Sequence, residues 1–152
     1  MCGSLGGANG AIMISGEAAT TFGWAWVAAT IALALQVADE ATHDFLAWYN
    51  PQALRIRQAL GGLPFPPTFT VLPWLLGLTA GVLLLGALTP AAYAGRPGMR
   101  PLAYALAGIH LGNGLLHLVA SLVARRPVPG VLSAPLLLVA GGWLGFAAAG
   151  LG

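Results

Sequence analysis

Nine consecutive residues, Gln36-Val37-Ala38-Asp39-Glu40-Ala41-Thr42-His43-Asp44, hold three of the four side-chain carboxylates and one of the three histidines in a chain of 152 residues. The other two histidines, His110 and His117, lie in a second apolar stretch, with Asn113 and Ser121 at helical spacing from them. Ionisable groups in such surroundings are costly and are functional by default. They suit three kinds of role. Low dielectric disfavours charge, so Asp39 or Glu40 could hold a proton to donate while His117 accepts one, with His43 and Asn113 beside them, as general acid–base catalysis requires. Alternatively, Asp39, Glu40, His43, His110 and His117 offer oxygen and nitrogen ligands for a divalent metal, Zn, Fe or Mn, with Asn113 orienting one of them, although no helix carries an HExxH pair. The third role is non-catalytic: a membrane subunit whose histidine ligates haem or another pigment, or whose polar cluster locks helices together. Three acids beside the histidine are more than a haem pocket needs.

The elements that must position these groups follow from composition. With 58% hydrophobic residues, 7% charged and no lysine, the chain cannot cover itself with a solvated surface, and an all-α polytopic membrane protein is expected. Six arginines spread over three loops give a formal charge of +2 without a basic run, so nucleic acid is not an expected partner. The single cysteine, Cys2, excludes an internal disulfide. Residues 1–20 are small and Gly-rich, lack the basic region of a secretory signal, and read as a tail. The apolar runs predict one domain, 1–152, with four transmembrane helices over about 22–49, 69–88, 102–124 and 131–149. The first is carried through to Tyr49 because Trp24 and Trp26 at one end and Trp48 and Tyr49 at the other resemble two aromatic belts, and Asn50-Pro51 reads as the break. A short interfacial segment over 51–60 follows it, carrying Arg55 and Arg57 beside Leu54, Ile56 and Leu60.

Helical periodicity sorts the faces. Ala25, Ala29, Ala32, Gln36, Glu40 and His43 share one face of the first span, small residues giving way to polar ones. His110, Asn113, His117 and Ser121 form a stripe on the third. Glu40 and His117 each lie eight residues before a boundary marker, Trp48 and Arg125, which is about 12 Å of helix. The two stripes are therefore expected to meet, with Gln36, His110 and Ser121 contacting substrate around the catalytic groups. Plainer readings stand beside this one: a solvated helix end for the carboxylates, a packing role for His110, and interhelical hydrogen bonding for Asn113 and Ser121. The pairs Gly77/Gly81, Gly108/Gly112 and Gly141/Gly145 predict close helix contacts on the last three spans.

Gln36-x-x-Asp39-Glu40, followed by Asn113-xxx-His117, Arg126 and Pro129-Gly130, resembles the HXXEE-motif integral membrane proteins of bacteria over most of the chain and in the same order. The resemblance implies a bacterial cytoplasmic membrane protein and brings no established activity. Gln36 stands at the motif's histidine and Asp39 at its first glutamate. If that histidine is a metal ligand in the family, it is lost here unless His43 substitutes.

Taken together, these readings predict an enzyme doing acid–base chemistry, such as isomerisation, cyclisation or hydrolysis, on a lipid or isoprenoid-like substrate. Its partners would be the bilayer and an apolar or amphiphilic small molecule, in a chain acting alone, as a homo-oligomer or within a larger membrane complex. Arg55, Arg57, Arg125 and Arg126 against Arg96 and Arg100 place the loops after spans one and three in the cytoplasm and both termini outside. In a Cys2→Ser background, an Arg55→Cys thiol should react with an impermeant maleimide only after the cytoplasmic face is exposed. Labelling from outside in intact cells would reverse the topology.

Overall fold

The computed structural model describes the backbone of residues 5–151 and side chains from Gly16 onward; Cys2 lies outside the described residues. Among these the elements are six helices: α1 (Leu5–Thr42), α2 (Phe45–Ala59), α3 (Val71–Ala87), α4 (Thr89–Tyr93), α5 (Met99–Ala124) and α6 (Ala134–Ala149). Three stretches are long and apolar enough to cross a membrane, Gly16–Thr42, Val71–Tyr93 and Met99–Ala124, and Ala134–Ala149 is a shorter apolar helix. Large apolar side chains such as Leu83, Val123 and Phe146 point outward, a surface suited to hydrocarbon rather than water.

The core forms where small residues let helices approach. Ala25, Ala29 and Ala32 of α1 are buried with Phe22 and Trp26 against Ala103, Leu106 and Ala107 of α5 and Leu137, Ala140 and Leu144 of α6, and α4 adds Ala92. Gly23 is required at its place because a methyl group there would run into the Tyr93 ring. Trp26 is wholly buried and donates its indole N–H to Leu85 O at 2.9 Å, fastening α3 to α1. It is a packing residue, not half of an aromatic belt. No residue of α3 is buried, so this helix lies at the rim of the bundle.

Several boundaries differ from those expected. Residues 5–20 continue α1 rather than forming a tail. At its other end α1 stops at Thr42, because Asp44 takes a left-handed conformation (φ 53°) and starts a new helix at Phe45; Asp is among the few non-glycine residues that tolerate this region. Trp48 and Tyr49 therefore belong to α2, not to the first span. Pro51 lies inside α2, whose Ala47 carbonyl, four residues earlier, is exposed and needs no helical donor. α2 is held at its far side by the following loop: Asn50 accepts from Phe69 N (3.1 Å) and donates to Phe69 O (2.9 Å), Tyr49 OH donates to Pro67 O (3.0 Å), and Arg57 Nε donates to Pro66 O (2.7 Å).

The glycine pairs also divide. Among the described residues nothing approaches Gly77, Gly81, Gly108 or Gly112 within 4 Å of where a methyl would sit, so these mediate no helix contact there. Gly141 does, against His110 Cβ and the Ala107 carbonyl, and Gly114, outside any of the expected pairs, packs on the Ala134 carbonyl. Gly141→Val should therefore lower stability in detergent by about 1–3 kcal/mol through overpacking, whereas Gly108→Val should be close to neutral. Thermal unfolding of the two variants checks the contrast, and equal losses would contradict the α5–α6 packing.

Candidate active site

The polar residues of α1 meet α5 and α6 at one end of the bundle, where α1 stops, α5 nears its C-terminus and α6 begins. Glu40, 5% exposed, accepts through a single oxygen, Oε1: from Gln36 Nε2 at 2.8 Å and, across the helix interface, at 2.9 Å from His117 Nε2. The i, i+4 register of α1 stacks Gln36 directly on Glu40, and His117 reaches Glu40 from α5, which packs with α1 on α6. No hydrogen bond to Glu40 Oε2 occurs among the described residues, and His117 Nδ1 is buried without a partner.

His117 is enclosed tightly. The rings of Phe45 and Trp48 lie over it with centroids at 5.8 and 6.5 Å. On its other side Gly130 closes in with φ 88°, and a methyl on that glycine would fall 2.5 Å from His117 Cε1 and Gln36 Nε2 and 2.8 Å from His117 Nδ1. Only glycine meets both demands, the left-handed backbone and the missing side chain.

Asp39 has a different task from Glu40. Its Oδ2 accepts from Ser133 N at 2.9 Å and contacts Ser133 Oγ at 2.8 Å, while Oδ1 lies 2.9 Å from Nδ1 of His43. Ser133 is the residue before α6, yet its own side chain does not cap that helix. The carboxylate of Asp39 instead accepts the N–H at the head of α6 from another helix, where the helix dipole favours an acceptor. The Ser133 hydroxyl is left to contact Gln36 Oε1 at 2.7 Å, so Gln36 joins the two acids' networks.

The remaining expected residues scatter. His43 is exposed, pairing only with Asp39 and lying 3.2 Å from Thr42 Oγ1, and Asp44 is exposed at the helix junction. His110 is buried about two turns deeper and bonds Ala29 O at 2.9 Å, tying α5 to α1. Ser121 accepts from Val128 N at 3.1 Å, closing the turn after α5 away from Glu40. Asn113 does not join the dyad; it lines a groove of about 450 Å³ between α2 and α5 with Phe45, Trp48, Tyr49, Ile56 and Leu116. A second cavity of about 280 Å³, bordered by His43, Asp44, Arg126 and Pro129, lies on the other side of Trp48, whose ring is a wall of both.

Among the described residues no three of His, Cys, Asp and Glu converge as metal ligands, so the expected set of Asp39, Glu40, His43, His110 and His117 is not assembled. The reason is visible in the geometry: His43 turns to solvent, His110 is spent on a backbone carbonyl, and Glu40 and His117 bond each other. Haem ligation finds no room at His117 either, since Nε2 is taken by Glu40 and Nδ1 lies against Gly130.

Ser133 is the member of the site that the sequence reading missed. Its signal, Ser followed by Ala134-Pro135, is a helix-start mark; what could not be read is that an aspartate 94 residues earlier would do the capping. Comparisons of the chain with family models, curated proteins and solved structures give no match. Gly130→Ala should lower stability by about 1–3 kcal/mol, as overpacking against a fixed pair does, and more than Gly62→Ala, a positive-φ glycine with open space around it. Equal effects would mean that only backbone strain matters at Gly130.

Proposed function

We propose that the chain is an integral membrane enzyme doing acid–base chemistry on a lipid or isoprenoid-like substrate, with Glu40 and His117 as the reacting pair. The observation that carries this reading is the Glu40–His117 pair itself, buried at 5% and 1% exposure, with one carboxylate oxygen unbonded, beneath aromatic rings that also line the groove between α2 and α5. An acid and a base held 2.9 Å apart can add a proton at one carbon and remove it at another, as isomerisation or cyclisation requires, or activate water for hydrolysis. The groove supplies the specificity: Phe45, Tyr49, Ile56, Leu116 and Val123 suit a hydrocarbon chain, and Asn113 and Gln52 offer the few polar contacts that orient it.

The resemblance to the HXXEE-motif proteins of the bacterial cytoplasmic membrane supports the same centre, because Gln36, Asp39, Glu40, His117 and Gly130 gather at one point. In this reading α6 is the fourth span, α2 lies along the interface with Arg55 and Leu54 outward, and both termini face outside. A second reading, a non-catalytic membrane subunit, is favoured by one observation: Asp39 caps α6 from α1, a bond that locks helices whether or not chemistry follows.

The test uses the purified full chain in nanodiscs, incubated in D₂O with a total bacterial lipid extract and polyprenyl phosphates. Wild type should incorporate deuterium into carbon-bound positions of one lipid class or release a hydrolysis product, read by mass spectrometry. Glu40→Gln and His117→Ala should each lower that rate by at least about 10²-fold while remaining folded. Lipid masses unchanged by wild type, or variants as active as wild type, would leave the subunit reading as the better account.

A further inference from the structure

The polar chain at the base of the site is one hydrogen short. Its links run in series: Asp39 Oδ2 to Ser133 Oγ (2.8 Å), Ser133 Oγ to Gln36 Oε1 (2.7 Å), Gln36 Nε2 to Glu40 Oε1 (2.8 Å) and Glu40 Oε1 to His117 Nε2 (2.9 Å). Each is a hydrogen-bond distance between electronegative atoms, and each needs a hydrogen between them. Ser133 has a single hydroxyl hydrogen. Gln36 presents its NH₂ to one neighbour only, whichever way the amide is turned. His117 supplies one from Nε2, because Nδ1 has no partner and a hydrogen there would be a buried orphan.

Three hydrogens thus serve four links. The Gly130 carbonyl, 3.3 Å from Ser133 Oγ, competes for the same hydroxyl hydrogen and deepens the shortfall. With Gln36 Nε2 toward Glu40, the bare link is Asp39–Ser133. With the amide reversed, Nε2 serves Ser133, the hydroxyl serves Asp39, and the bare link is Gln36–Glu40. In either arrangement the missing hydrogen can come only from a carboxyl group.

We infer that Asp39 and Glu40 hold one proton between them, and that Ser133 and Gln36 are positioning residues that decide which of the two carries it. The inference rests on the acid–base reading for its use, since it makes one acid of the pair a resident proton donor while the other stays an acceptor. It does not rest on that reading for its test.

Infrared spectroscopy of the full chain, in a detergent free of ester carbonyls and near neutral pH, reads the C=O stretch of a protonated carboxyl and its shift in D₂O. The other side-chain carboxyls, Glu17 and Asp44, are exposed. Wild type should show one protonated carboxyl. Gln36→Leu should lose it, because Ser133 Oγ then donates to Asp39, His117 Nε2 donates to Glu40 and no link is left bare. Ser133→Ala should lose it as well, since the chain is cut and no link is left bare; this variant decides the matter if Gln36→Leu fails to fold.

Absence of the band in wild type overturns the inference. So does its survival in Gln36→Leu or in Ser133→Ala, which would assign the proton to one acid regardless of the chain between them. The band is read without substrate, so an inert result with lipids leaves this inference standing, and a missing band leaves the deuterium experiment standing.

Discussion

A carboxyl group buried among apolar helices must find its hydrogen-bond partners inside the protein, and Glu40 finds them on two helices at once. That requirement organises much of what surrounds it. His117 can reach Glu40 only if α1 and α5 are held side by side, which their shared packing on α6 provides, α1 through the alanines at 25, 29 and 32. Gln36 can hold Glu40 only if its own carbonyl is satisfied, which brings in Ser133 and, through Ser133, Asp39. The turn from α5 to α6 must pass close enough to enclose His117, which demands a glycine at 130. Removing any one partner strands a buried polar group, a cost of about 1–3 kcal/mol, so the cluster is stable only when complete.

The two acids of the Asp39-Glu40 pair point to different helices because adjacent helical residues diverge by about 100°. Glu40 turns toward α5 and Asp39 toward the start of α6. One serves a histidine and the other the end of a helix. A motif of two neighbouring acids is therefore a way to bind two elements from one turn of a third.

Sequence periodicity made part of this legible. The shared face of Ala25 through Glu40 and the position of His117 on α5 follow from the 3.6-residue repeat, and equal depth along two helices that run in the same direction is enough to pair them. The stripe of His110, Asn113, His117 and Ser121 misled in its details, because sharing a face does not mean sharing partners: over some 11 residues the stripe passes the Ala29 carbonyl, the α2 groove, Glu40 and finally the turn after α5. The end of α1 was hidden for a different reason. Aromatic residues at 48 and 49 are equally at home in a membrane belt and over an imidazole, and a left-handed Asp44 leaves no mark stronger than its residue type. Ser133 was beyond reach because its partners lie on another helix, and nothing local records them.

The anchoring of α2 has a consequence for whatever enters the groove. This helix is tied to α1 through two residues and to the loop before α3 by Tyr49, Asn50 and Arg57, while Phe45 stacks on Trp74 at 5.8 Å as well as on His117. Held on both flanks, the wall of the cavity is preorganised: a guest has little side-chain or helix ordering left to impose, so its contacts count almost fully toward affinity. The wall presents a fixed aromatic face of Phe45, Trp48 and Tyr49 to that space.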